Sequence, residues 1–115
     1  MNPILNQVGA IFIPVSNIEN ARDWYCDVLG LPNDGEILFE HLYILPMEGT
    51  GIVLDSKIYS EQHTFKVPVF HFNTNDIYAA YEYIKSKNIE LTTEIQHNWF
   101  NFKDPDGNHL MICQC

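Results

Sequence analysis

The chain has 115 residues, 15 acidic against 6 basic, for a formal net charge of −9 with histidine neutral, and 46% of its residues are apolar. That is enough apolar material for one small folded domain and too much for a disordered chain. The basic residues Arg22, Lys57, Lys66, Lys85, Lys87 and Lys103 are scattered, so no stripe exists to track phosphates, which excludes nucleic acid and anionic membrane surfaces as expected partners.

From Val8 to Val15 the run Val-Gly-Ala-Ile-Phe-Ile-Pro-Val predicts a strand. Ser16-x-x-Glu19 then has the spacing of a capping box, and Ile18, Ala21, Tyr25, Val28 and Leu29 recur at helical intervals up to Gly30. The spacing predicts a helix over 17–29. Between Glu36 and Leu54 three short apolar runs, Ile-Leu-Phe, Leu-Tyr-Ile-Leu and Gly-Ile-Val-Leu, predict three strands in a meander. Residues 56–66 are polar and aperiodic and are expected to form a linker.

The second half repeats that order. Val67 to Asn73 predicts a strand, 75–86 a helix with Ile77, Ala80, Tyr81 and Ile84 on one face, and 91–95, 99–103 and 109–113 three strands. Val15 to Tyr25 lies over Thr74 to Ile84 at a constant offset (74 − 15 = 59), which puts Ile18 on Ile77 and Ala21 on Ala80. The expected fold is α+β: two tandem βαβββ modules, 8–55 and 67–115, joined by the linker.

No apolar run approaches the ~18 to 20 residues of a membrane span, and Met-Asn-Pro-Ile-Leu-Asn-Gln lacks the basic flank of a signal peptide. A cytoplasmic protein with no membrane association is expected. The three cysteines, Cys26, Cys113 and Cys115, are an odd number and give no disulfide framework. Cys113 and Cys115 share a strand face and could hold a soft metal, yet no matching C-x-x-C lies nearby, so reduced thiols are expected.

Three segments carry a family likeness: Ile13-Pro-Val-Ser-Asn-Ile18, Trp24-Tyr-Cys-Asp-Val-Leu-Gly-Leu31 and Phe102-Lys-Asp-Pro-Asp-Gly-Asn108. In them the chain resembles the glyoxalase, bleomycin-resistance and extradiol-dioxygenase superfamily, also called the vicinal oxygen chelate fold. The resemblance implies curved mixed sheets enclosing a cavity and a homodimer. In metal-dependent members it implies a divalent ion held by His, Gln or Glu from the first and last strand of each module. The matching positions are Ala10, Val53, Val69 and Met111. Three have no donor atom, and a thioether suits only soft metals. A metal at the family site and any other cofactor are therefore not expected, and the Lewis-acid chemistry of the glyoxalase and dioxygenase members is doubtful for this chain.

Strand alternation sorts the side chains by face. If position 10 faces the cavity, so do Val8 and Phe12, and by the same rule Val69, His71 and Asn73, and His109, Met111 and Cys113. His71 is the foremost candidate, either as a hydrogen-bonding or acid/base group or as a histidine bonded to a backbone carbonyl or to Asp55. His41, His63 and His97 are expected at solvated turns. Phe102 in the core would turn Trp99 and Asn101 to the cavity, as an aromatic plate beside an amide or as part of a dimer interface. Tyr78, Tyr81 and Tyr83 are expected to pack, and Cys26 to be a buried inert thiol.

The candidate ligand-binding set is Phe12, Asp55, His71, Trp99, Asn101 and Met111. The expected function is binding of a small organic molecule, metal-free, with a homodimer as the assembly. The alternatives are a glyoxalase-type lyase, isomerase or dioxygenase with a displaced metal, for instance at His41, His71 and His97, and a domain serving only dimerisation or regulation.

Overall fold

The computed structural model describes every residue, Met1–Cys115. The chain divides into two compact units, Met1–Tyr59 and Ser60–Cys115. The first contains β1 (Ala10–Pro14), α1 (Ile18–Leu29), β2 (Leu42–Ile44) and β3 (Gly51–Asp55). The second contains β4 (His71–Asn73), α2 (Ile77–Ser86), β5 (Trp99–Lys103) and β6 (His109–Cys113). The architecture is α+β, with one mixed three-stranded sheet in each unit.

The two sheets share a topology. Their strand orders are β1-β3-β2 and β4-β6-β5, and in both the first pair is parallel and the second antiparallel. A parallel pair needs a crossover, which α1 and α2 supply. In the first unit Ile13, Leu54 and Tyr43 form one row across the sheet. All three are buried, together with Tyr25, Cys26 and Val28 of α1. The Cys26 Sγ donates to the Tyr43 hydroxyl at 4.0 Å, which shows that this face looks at the helix. In the second unit Phe100, Phe102 and Leu110 are buried, and Tyr81 of α2 meets Phe100 edge-on at 5.1 Å.

The ends of α1 differ from expectation in one respect. Asn17, not Ser16, is the N-cap: its side chain accepts from the Asn20 N–H while its own backbone stays extended. At the other end Gly30 closes the helix at φ 67°, the left-handed geometry its lack of a Cβ permits. α2 is capped in the same way by Asp76, which accepts from the Ala79 N–H.

Several expected strands are shorter or missing. The Ile37-Leu-Phe run forms no strand, because Phe39 and Glu40 both have positive φ and turn the chain so that Leu38 bridges back to Leu42. Residues 91–95 contribute only the isolated bridge Leu91 to Phe102. The Val67–Phe70 part of the fifth predicted strand stays outside β4, with Pro68 lacking the N–H a ladder requires. The expected βαβββ repeat is therefore βαββ with bridges in place of the missing strands. The stretch expected as a linker is tied at its end, since the Phe65 N–H donates to Asn108 Oδ1 and the His109 N–H donates to the Phe65 carbonyl. Of the tyrosines expected to pack, Tyr78 and Tyr83 are exposed.

Candidate functional site

The face of each sheet turned away from its helix carries the candidate residues. Register pairs on neighbouring strands lie on one face, so in the second unit Asn101, Met111 and His71 form a straight row over β5, β6 and β4. The next row is Trp99, Cys113 and Asn73. Four of the six candidates, His71, Trp99, Asn101 and Met111, are thereby brought onto one surface. The other two, Phe12 and Asp55, share a face in the first unit, where Ile44, Val53 and Phe12 form the corresponding row. That row is apolar, with Phe12 49% and Ile44 54% exposed.

The polar groups among these candidates differ in how they are satisfied. His71 is exposed, with Nδ1 3.3 Å from the carbonyl of Phe72. Its expected link to Asp55 is replaced: the buried Asp55 carboxylate takes His41 Nδ1 at 3.0 Å and the Lys57 N–H at 2.9 Å. His41, expected at a solvated turn, is held there because Leu42 lies opposite Asp55 in the β2–β3 register. Asn101 is different again. Its backbone N–H donates to Thr93 Oγ1 at 3.0 Å, but its side-chain Oδ1 is buried without a hydrogen-bond partner. An unpartnered buried acceptor of this kind costs about 1–3 kcal/mol. Thr92 Oγ1 is a second such atom, and sequence reading gave no sign of it.

The C-terminal end of β6 holds the second arrangement that the sequence did not disclose. Cys113 and Cys115 are joined in a disulfide, where reduced thiols were expected. Alternation puts both side chains on one face, and a Cα–Cα separation of 5.4 Å brings them into bonding range. His71 lies with them: one of its ring nitrogens and the two sulfurs fall within 4.8 Å of one another. Imidazole and thiolate are donors for borderline and soft cations.

Cys26, by contrast, is 1% exposed. Burial pushes its thiol above its ordinary pKa, outweighing the opposing hydrogen bond to Tyr43. Its burial is as expected, and a thiol held protonated in this way is a poor nucleophile.

The Glyoxalase/Bleomycin resistance protein/Dioxygenase superfamily model matches residues 5–112. Among solved structures, the fold is similar to that of a superfamily member from Sphaerobacter thermophilus, with TM-score 0.74 and 22% identity over 96% of this chain and 98% of that one. It is similar to TnmS3, an antibiotic binding protein from Streptomyces sp. CB03234, with TM-score 0.74 and 20% identity over 98% of each chain. It is also similar to lactoylglutathione lyase from Agrobacterium tumefaciens, with TM-score 0.71 and 14% identity over 96% of this chain and 95% of that one. No curated protein sequence matches significantly. No helix is long and apolar enough to cross a membrane.

Proposed function

This chain belongs to the Glyoxalase/Bleomycin resistance protein/Dioxygenase superfamily, and from that premise we propose that it binds a small organic molecule rather than transforming one on a metal at the family's site. The residues at the family's four ligand positions do not fit a divalent ion. Ala10, Val53 and Val69 have no donor atoms, and Met111 offers a thioether between Asn101 and His71. No Lewis-acid step is derived through those positions.

The observation that carries the reading is the unpartnered Asn101 Oδ1 on an otherwise mixed apolar and polar sheet face. Ligand sites combine apolar area with a few placed polar groups, and a buried acceptor awaiting a donor is such a group. Met111 supplies a deformable apolar contact, Trp99 a flat surface for stacking, and His71 a second hydrogen-bonding group. Phe12 lies on the apolar row of the first unit, where Asp55 keeps its carboxylate for His41. Antibiotic binding by TnmS3, a protein of the same fold, supports ligand capture as a use of this architecture. The reading includes a cytoplasmic homodimer, the assembly the family resemblance implies, and no cofactor.

Native mass spectrometry of the protein as expressed tests the proposal. An organic mass increment on the wild type that is missing from Asn101→Leu is the expected result, on a dimer. Wild-type chain that carries no organic increment under gentle desolvation, or an increment that Asn101→Leu retains in full, would overturn it.

A further inference from the structure

We infer that His71, Cys113 and Cys115 form a zinc site that opens when the Cys113–Cys115 disulfide is reduced. The site goes beyond the ligand-binding reading and uses none of the four family positions.

The donor set is the first argument. Two thiolates and one imidazole are ligands that zinc takes in tetrahedral sites, with the fourth position left to water or another small ligand. Their donor atoms already lie within 4.8 Å of one another. Zn–S distances of about 2.3 Å and Zn–N distances of about 2.0 Å space the donors of a tetrahedral site roughly 3.5–3.8 Å apart, so on reduction the bonded sulfurs must part and the His71 nitrogen must close in. His71 and Cys115 are exposed, so rotation of their side chains allows both movements, while Cys113 is a buried anchor.

The frame is the second argument. The Cys113 carbonyl accepts from the Thr74 N–H at 3.1 Å, which fixes the end of β6 beside β4. Gln114, between the two cysteines, is held at three points: its N–H donates to the Asn98 carbonyl, its carbonyl accepts from Asn98 Nδ2, and its Oε1 accepts from the Ile77 N–H. Residues 113–115 are thus set in place by the fold. On the other side His71 Nδ1 faces the Phe72 carbonyl at 3.3 Å. With the proton on Nδ1, the Nε2 lone pair is left for a metal, and the carbonyl is the kind of outer-shell acceptor that orients metal-bound histidines.

The redox step balances as follows. A thiol reductant gives two electrons and two protons to the S–S bond, yielding two cysteine thiols and the reductant's own disulfide. Zinc then displaces the two thiol protons, which pass to solvent, and binds the two thiolates with His71 Nε2. In the oxidised chain both sulfurs are bonded to each other and the site is closed.

The test uses the full chain in both redox states, titrated with zinc against a chromophoric chelator, and with cobalt(II) as a spectroscopic stand-in. Reduced wild type is expected to take one zinc per chain and to show a thiolate-to-cobalt charge-transfer band, and oxidised protein to show neither. His71→Ala and Cys115→Ser, both at exposed positions, are expected to weaken zinc at least about tenfold, with the thermal melts of the reduced, zinc-free chains unchanged. Absence of stoichiometric zinc in the reduced protein, equal affinity in the oxidised protein, or wild-type affinity in both variants would overturn the assignment.

Discussion

Asn108 is bonded twice to Asp104: its backbone N–H reaches Oδ1 and its side-chain Nδ2 reaches Oδ2, both at 2.8 Å. Both residues are buried. The Asn108 Oδ1 accepts from the Phe65 N–H, so one side chain closes the Asp-Pro-Asp-Gly-Asn turn and ties residue 65 to it. Gly107, at φ 88°, lets the backbone make that turn. Replacing Asn108 by Ala removes both of these side-chain hydrogen bonds, the one to the Asp104 carboxylate and the one from the Phe65 N–H. Urea unfolding is expected to show a loss of about 3 kcal/mol.

Asn101→Leu is expected to act in the opposite direction on the free chain. The substitution removes a buried acceptor that has no partner, so stability should rise by about 1 kcal/mol, or roughly 4 °C in Tm. A stabilised variant that has also lost its ligand separates a binding residue from a packing residue. A fall in Tm would assign Asn101 to structure.

Alkaline pH should weaken the first unit. Burial raises the Cys26 thiol above 9.0 and the Tyr43 phenol above 10.0. In each case the folded chain holds its proton more tightly than the unfolded one. The stabilisation is fully present below the unfolded pKa values and is lost as pH rises through the folded ones. Denaturant midpoints measured from pH 7 upward should fall beyond about pH 9, and Tyr43→Phe should blunt the part of the fall above pH 10.

The α1 cap gives a smaller effect. Asn17→Ala should cost about 1 kcal/mol and Asn17→Gly only a few tenths, because glycine keeps the extended cap backbone accessible and solvated. Thermal melts of the two variants distinguish this cap from a general intolerance at position 17.

Much of the fold is legible in the residues because burial imposes a period. Ile11, Ile13 and Val15 alternate with Ala10, Phe12 and Pro14, and the structure turns Ile13 and Val15 into the core as the alternation requires, while Pro14 at the strand's end is buried as well. The same rule brought Asn101, Met111 and His71 to one face. Local signals failed where a neighbour distant in sequence decides. Nothing in Phe39-Glu40 announces two positive φ values, since no glycine or asparagine stands there. Ser16 and Asn17 are both good caps, and only the backbone geometry selects between them. His41 depends on a strand register that places Asp55 across from Leu42. The disulfide required more than a shared face: the chain had to close the two Cα atoms to 5.4 Å past the end of β6.

The matching strand orders of the two units also bear on how the chain is made. Every ladder joins strands of the same unit, and the partners furthest apart in the first sheet, the β1–β3 pairs from Ala10↔Gly51 to Pro14↔Asp55, all lie in one half of the chain. No strand of the first sheet awaits a partner from the second half. During translation all three of its strands are therefore available once Asp55 has left the ribosome, and unpaired edge exposure in the nascent chain is confined to the time needed to synthesise one half.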